Sequence, residues 1–177
     1  MRWTAAPHVC FTLYEATHPE VFRSPAYLAR LNAPTPWTQQ IMPHMSNFLR
    51  GACETIFTAG SGIGATLAVL RLNGDDSKKT VLSLKVAALE ITQYAGVVGV
   101  HLGLCKPEIT SQATNEATLR KSVDTNSFSY VLLVEALDAN YLKNQWHQLI
   151  EQLTTAQVEI LGTSHFDLSF MLNTPKA

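Results

Sequence analysis

Three observations predict an α+β fold for this chain of 177 residues. From Gly64 onward, apolar periods of 2 and 3.6 follow one another in the order strand, helix, strand, strand, helix, strand. The first 63 residues carry a shorter version of that alternation. Charged residues make up only 15%, against about 25% in a typical soluble protein, so the fold is expected to cover apolar surface in an oligomer.

Taken in order, His8 to Ala16 is the first predicted strand, with Val9, Phe11 and Leu13 on one face and His8, Cys10, Thr12 and Tyr14 on the other. Thr17-His18-Pro19-Glu20 opens a helix with Val21, Phe22, Tyr27, Leu28 and Leu31 on its apolar side, interrupted at Pro25. The turn Asn32-Ala33-Pro34-Thr35-Pro36 recaps a short helix from about Trp37, which Pro43 kinks or ends. A strand around Ala52 to Thr58 follows.

The run Ala59-Gly60-Ser61-Gly62-Ile63-Gly64 has neither GxGxxG nor GxxxxGK spacing and leads into a strand, so it reads as a flexible joint and not a phosphate cradle. Ala65 to Leu72 is that strand, and Asn73-Gly74-Asp75-Asp76 is a turn. A helix then carries Val81, Leu84, Ala88, Ile91 and Ala95 at three- and four-residue intervals, with Gly96 in the position of a left-handed cap. Val97 to Cys105 is a strand with Val98, Val100, Leu102 and Leu104 on one face and Gly99, His101 and Gly103 on the other. Lys106 to Asn126 is polar and longer than most connections, which predicts a lid or a disordered excursion. Phe128 to Leu137 is a strand, Asp138-Ala139-Asn140 caps a helix with Leu142, Trp146, Leu149, Ile150 and Leu153 on one side, and Val158 to Leu172 holds the last strand or hairpin.

The order from Gly64 is the split βαβ pattern of a ferredoxin-like sandwich. Two segments are therefore expected: an incomplete first repeat over residues 1–63 and a complete one over 64–177. Phe11 to Ala16 and Val131 to Ala136 share strand pattern and a Glu-Ala end, a faint internal repeat. A sheet with helices on one face must bury the other, at about 25 cal/mol per Å² of apolar area, so sheet-on-sheet packing into a barrel is expected.

Ser24-Pro25-Ala26-Tyr27-Leu28-Ala29-Arg30-Leu31-Asn32-Ala33-Pro34-Thr35-Pro36-Trp37-Thr38, with Met42-Pro43-His44 and Arg50, resembles the dimeric α+β barrel superfamily, and within it bacterial EthD-like tandem-repeat proteins. The resemblance implies that this segment is the second helix of a first ferredoxin-like repeat. If the protein is an enzyme, the resemblance implies cofactor-independent chemistry on a small aromatic or carbonyl compound; the two repeats could face each other as a pseudo-dimer, but the low charge content and the missing first strand favour a homodimer. The family pattern begins with a strand and helix that have no counterpart before Arg2-Trp3-Thr4, so the chain reads as N-terminally short.

The formal charge of −1 provides no electrostatic footprint for nucleic acid or an anionic membrane. No stretch reaches the roughly 18 apolar residues of a membrane span, and the N-terminus has no uninterrupted apolar signal core. Cys10, Cys53 and Cys105 are spaced like neither a disulfide framework nor a zinc site and read as cytoplasmic thiols. The six histidines form no HxH or HExxH, so neither a metal nor another cofactor is expected.

His101 stands between Gly99 and Gly103, whose missing side chains leave room beside the ring, and Arg71 is expected on the same face as a fixed positive charge. His101 is the candidate general base and Arg71 the candidate anion stabiliser; Tyr14, His8, Trp37 and His44 are candidate ligand contacts for a small, largely apolar molecule. The competing reading makes His101 and Arg71 hydrogen-bonded interface residues, Trp37 a plug at the end of a core, and the whole protein a non-catalytic homo-oligomeric binding or assembly module. Ser164-His165-Asp167 contains triad residue types, but neighbours along a strand alternate faces and no GxSxG occurs. A hydrolase is therefore not expected.

Overall fold

The computed structural model describes residues 10–120 and 127–172. The described residues fall into two compact units, one holding 10–11, 55–103 and 129–172 and the other 12–54, 104–120 and 127–128. In chain order the elements are α1 (Pro25–Asn32), α2 (Pro36–Ile41), β1 (Cys53–Gly60), β2 (Thr66–Asn73), α3 (Lys78–Ile91), β3 (Val97–Cys105), α4 (Pro107–Thr110), α5 (Asn115–Thr118), β4 (Tyr130–Ala136), α6 (Ala139–Thr155) and β5 (Glu159–Asp167). No helix of the described residues is long and apolar enough to cross a membrane.

The first unit is an α+β sandwich. Its sheet runs β1-β3-β4-β2-β5, with β2 antiparallel to both β4 and β5. From β2 onward this is the split βαβ order that the sequence predicts, while β1 adds a fifth strand beside β3. Ala68, Leu70 and Leu72 of β2 align with Val134, Leu132 and Tyr130 of β4, and all six are essentially without solvent contact. Their face is the helix side: His165, aligned with Ala68, meets the Trp146 ring of α6 edge-on at 4.7 Å. α6 packs on β2, β4 and α3, burying Leu142, Trp146, Leu149 and Leu153, while α3 buries Leu84, Ala87, Ala88 and Ile91. Each fully buried aliphatic side chain contributes about 1.5–3 kcal/mol relative to exposure.

Capping explains where these helices begin. Ser77 Oγ accepts from Thr80 N at 3.2 Å, and Asp138 Oδ1 accepts from Asn140 N at 2.7 Å. Between α3 and β3 the chain turns at Gly96, whose φ of +75° is left-handed. A Cβ there would lie 2.2 Å from the Tyr141 ring, so both conformation and space require glycine.

The opposite face carries the alternate residues Leu67, Val69 and Arg71 of β2 and Val131, Leu133 and Glu135 of β4. It is not bare: Val69 and Leu133 are 8% and 7% exposed, and Phe11 stacks on Phe166 with ring centroids 5.4 Å apart.

The second unit is assembled from short helices. Ser24 and Thr35 cap α1 and α2, each with proline at the first helical position, and Met42–His44 continues as a 3-10 turn. Asn115 donates its backbone N–H to Asn32 Oδ1 at 3.0 Å and its side-chain amide to the Asn32 carbonyl at 2.8 Å, which ties α5 to α1.

Two expectations are corrected. Residues 10–16 form no strand, and Leu13 and Tyr14 are 55% and 75% exposed, so that segment has the alternation of a strand without a partner edge; the rest of His8 to Ala16 lies outside the described residues. Of the excursion 106–126, the described part is organised: it holds α4 and α5, buries Ile109, and uses Thr114 to cap α5. Residues 121–126 lie outside the described residues.

Candidate functional site

The face opposite the helices gathers three polar side chains from three adjacent strands in the first unit. His101 Nε2 of β3 lies 3.3 Å from Glu135 Oε1 of β4, and His101 Nδ1 lies 2.6 Å from Thr58 Oγ1 of β1. Glu135 Oε2 accepts a hydrogen bond from the Gly64 backbone N–H at 2.7 Å. The imidazole is thus held on both nitrogens. A carboxylate accepts and never donates, so it selects the tautomer with the proton on Nε2 and leaves the Nδ1 lone pair to receive the Thr58 hydroxyl.

Strand pairing produces this arrangement. Alternation along β3 points His101 away from the helices, whereas Val100 and Leu102 are fully buried beneath them. A Cβ at position 99 would stand 3.2 Å from His101 Nε2 and 3.6 Å from Glu135 Cβ, so the predicted open space beside the ring is the space Glu135 occupies. The His101 and Glu135 side chains are 33% and 21% exposed, enough for a small molecule to reach the imidazole.

Gly64 is the third support. It is buried, and a Cβ there would lie 2.6 Å from Ala136 N and 2.7 Å from Ala136 O. Gly62 N donates to the Val98 carbonyl at 3.3 Å. The glycine run expected as a flexible joint is therefore laid against β3 and β4, with one of its amides anchoring the site's carboxylate.

Arg71 shares this face but is not brought to His101. Its guanidinium lies over Gly162 of β5, where Nη2 would be 2.7 Å from a Cβ. Glu135 aligns with Leu67, four residues along β2 from Arg71, and at about 3.3 Å per residue and 4.8 Å per strand the guanidinium over β5 stands roughly 16 Å from Glu135. Tyr14, Trp37 and His44 belong to the second unit, all three exposed, with Trp37 in the first turn of α2 and His44 ending the 3-10 turn. His8 lies outside the described residues. Among the described residues no three His, Cys, Asp or Glu side chains group as a metal site would.

Sequence reasoning missed Thr58, Glu135 and Gly64. Glu135 had a legible signal: it is the one charged residue of Tyr130-Val131-Leu132-Leu133-Val134-Glu135-Ala136, and an acid inside so apolar a strand needs a partner. No family model, curated protein or solved structure matches this chain.

Proposed function

We propose that this protein is a cytoplasmic homodimer built as an α+β barrel, with an incomplete first ferredoxin-like repeat, that binds or converts a small aromatic or carbonyl compound without a cofactor. The observation that carries this reading is the Thr58–His101–Glu135 chain on the face opposite α6. Glu135 orients the imidazole and balances the charge it gains on accepting a proton, and Nδ1 is the atom that accepts it. A substrate hydroxyl or an acidic C–H that takes the place of the Thr58 hydroxyl would deliver its proton there. Val131, half-buried on the same face, offers apolar contact to a ring. Arg71, on the far side of β2 from β4, suits the anionic end of a longer ligand. The low charge content and the EthD-like resemblance support the dimer and the ligand class.

The non-catalytic assembly reading is favoured by a different observation, the burial of Val69 and Leu133 by the chain itself, which leaves less room for a ligand.

Thermal-shift measurements with small aromatic acids and ketones, together with light scattering on the eluting protein, separate the two. At a ligand concentration a hundredfold above Kd, linkage adds about 2.7 kcal/mol, or roughly 5–10 °C in Tm for a chain of this size. The expected result is a dimer whose shift disappears in His101→Ala and survives in Trp37→Ala. A dimer that no compound stabilises supports the assembly reading, and a monomer that no compound stabilises overturns both.

A further inference from the structure

Cys53 and Cys105 are 52 positions apart in the chain, yet the pairing of β1 with β3 brings them together in the second unit. Lys106 N donates to the Ala52 carbonyl at 2.8 Å at one end of the pair and Gly62 N to the Val98 carbonyl at 3.3 Å at the other, so β1 and β3 run antiparallel, and Lys106 Nζ meets Glu54 Oε2 at 2.9 Å. That register sets Cys53 opposite Cys105. Directly opposed residues of an antiparallel pair have Cα atoms about 4.5–5.5 Å apart, inside the range of about 4.4–6.8 Å that a disulfide spans. Both thiols are free and half-buried, whereas Cys10 is exposed.

We propose that Cys53 and Cys105 form a dithiol site that a hydroperoxide oxidises to a cross-strand disulfide, with Cys105 as the attacking sulfur and Cys53 as the resolving one.

The asymmetry of the pair assigns the roles. The Cys53 thiol donates its hydrogen bond to Cys105 and, with the Thr110 hydroxyl and the Lys106 amide, holds the Cys105 thiol down at about 7 against the opposing effects of burial and the Glu108 charge. Cys53 is pushed up, first because its proton serves Cys105 and then by burial and the charge on Cys105. Only the thiolate is nucleophilic, so near neutral pH Cys105 reacts first.

In the first step the Cys105 thiolate attacks the terminal oxygen of the hydroperoxide. The S–O bond forms, the O–O bond breaks, and the alkoxide leaves as the alcohol after taking a proton, giving the sulfenic acid at Cys105. In the second, Cys53 gives up its proton and its sulfur attacks the Cys105 sulfur. The S–S bond forms, the S–O bond breaks, and hydroxide takes the proton and leaves as water. Two thiols and one hydroperoxide become one disulfide, one alcohol and one water, the two electrons passing from sulfur to the peroxide oxygens.

The test treats the reduced full-length protein with stoichiometric hydrogen peroxide at pH 7, alkylates the remaining thiols, and maps the digest by mass spectrometry. A peptide pair joined through Cys53 and Cys105 is expected, with Cys105 consumed about tenfold faster than cysteine in an unstructured peptide. In Cys53→Ser, a sulfenic acid that dimedone traps at Cys105 is expected to replace the disulfide. Full alkylation of Cys53 and Cys105 while Cys10 is oxidised, or bridges that run through Cys10, would overturn the assignment. The mapping of the unmutated protein stands whether or not the variant folds.

Discussion

Replacing Gly64 by alanine attacks the candidate site through its backbone support alone. The new Cβ would lie 2.6 and 2.7 Å from the Ala136 backbone N and O, where ordinary contact begins at 3.4 Å, so the segment before β2 must withdraw from β4 by about 0.7–0.8 Å. Such overpacking costs roughly 1–3 kcal/mol. The withdrawal also breaks the 2.7 Å hydrogen bond from Gly64 N to Glu135 Oε2, and a hydrogen bond to a charged group is worth about 1.5–3 kcal/mol. Together the loss is about 2.5–6 kcal/mol, a fall of roughly 1.3–3 M in the urea midpoint at an m-value of about 2 kcal/mol/M. The same substitution in a Glu135→Ala background keeps the clash and has no carboxylate to lose, so its cost should shrink by the hydrogen bond's share. Equal costs in the two backgrounds, within about 0.5 kcal/mol, would refute the anchoring role. A Gly64→Ala protein as stable as the parent would refute the close packing as well.

Two further outcomes test the frame and its pH response. Asp138→Ala removes the acceptor for Asn140 N at the start of α6 and should cost about 1 kcal/mol in urea titration, while Asp138→Asn should restore most of it. Hydrogen bonds from the Thr80 hydroxyl and from Ser77 lower the Asp75 carboxyl below 3.8 in the folded protein. Because the folded value is the depressed one, this stabilisation is complete above pH 3.8 and is lost as pH falls through the folded value. Asp75→Asn should therefore flatten the fall of stability with pH in that acid window, and an unchanged slope would remove Asp75 from the acid response.

How far the site was legible depended on sequence distance. His101 stood out because alternation along Val97 to Cys105 sets it between two glycines, which local pattern alone reveals. Its partners Thr58 and Glu135 lie 43 and 34 positions away, on β1 and β4, and nothing in a one-dimensional period says which strands will be neighbours. Arg71 failed to reach it for the same reason: face parity was readable, but the strand order that sets β4 between β2 and β3 was not. The strand expected over His8 to Ala16 shows the converse limit, since Cys10 to Ala16 carries the alternation without forming a ladder.

What the amino-acid sequence determined by itself is local: a helix start after the Asn73–Asp76 turn and another at Asp138, the left-handed turn at Gly96, and the two-faced patterning of β3, because caps, φ preferences and side-chain alternation act within a few residues. What only the tertiary structure decided is every partnership across strands. The carboxylate on His101, the glycine amide on that carboxylate and the meeting of Cys53 with Cys105 all depend on strand order and register, which the whole sheet settles at once by burying its apolar face.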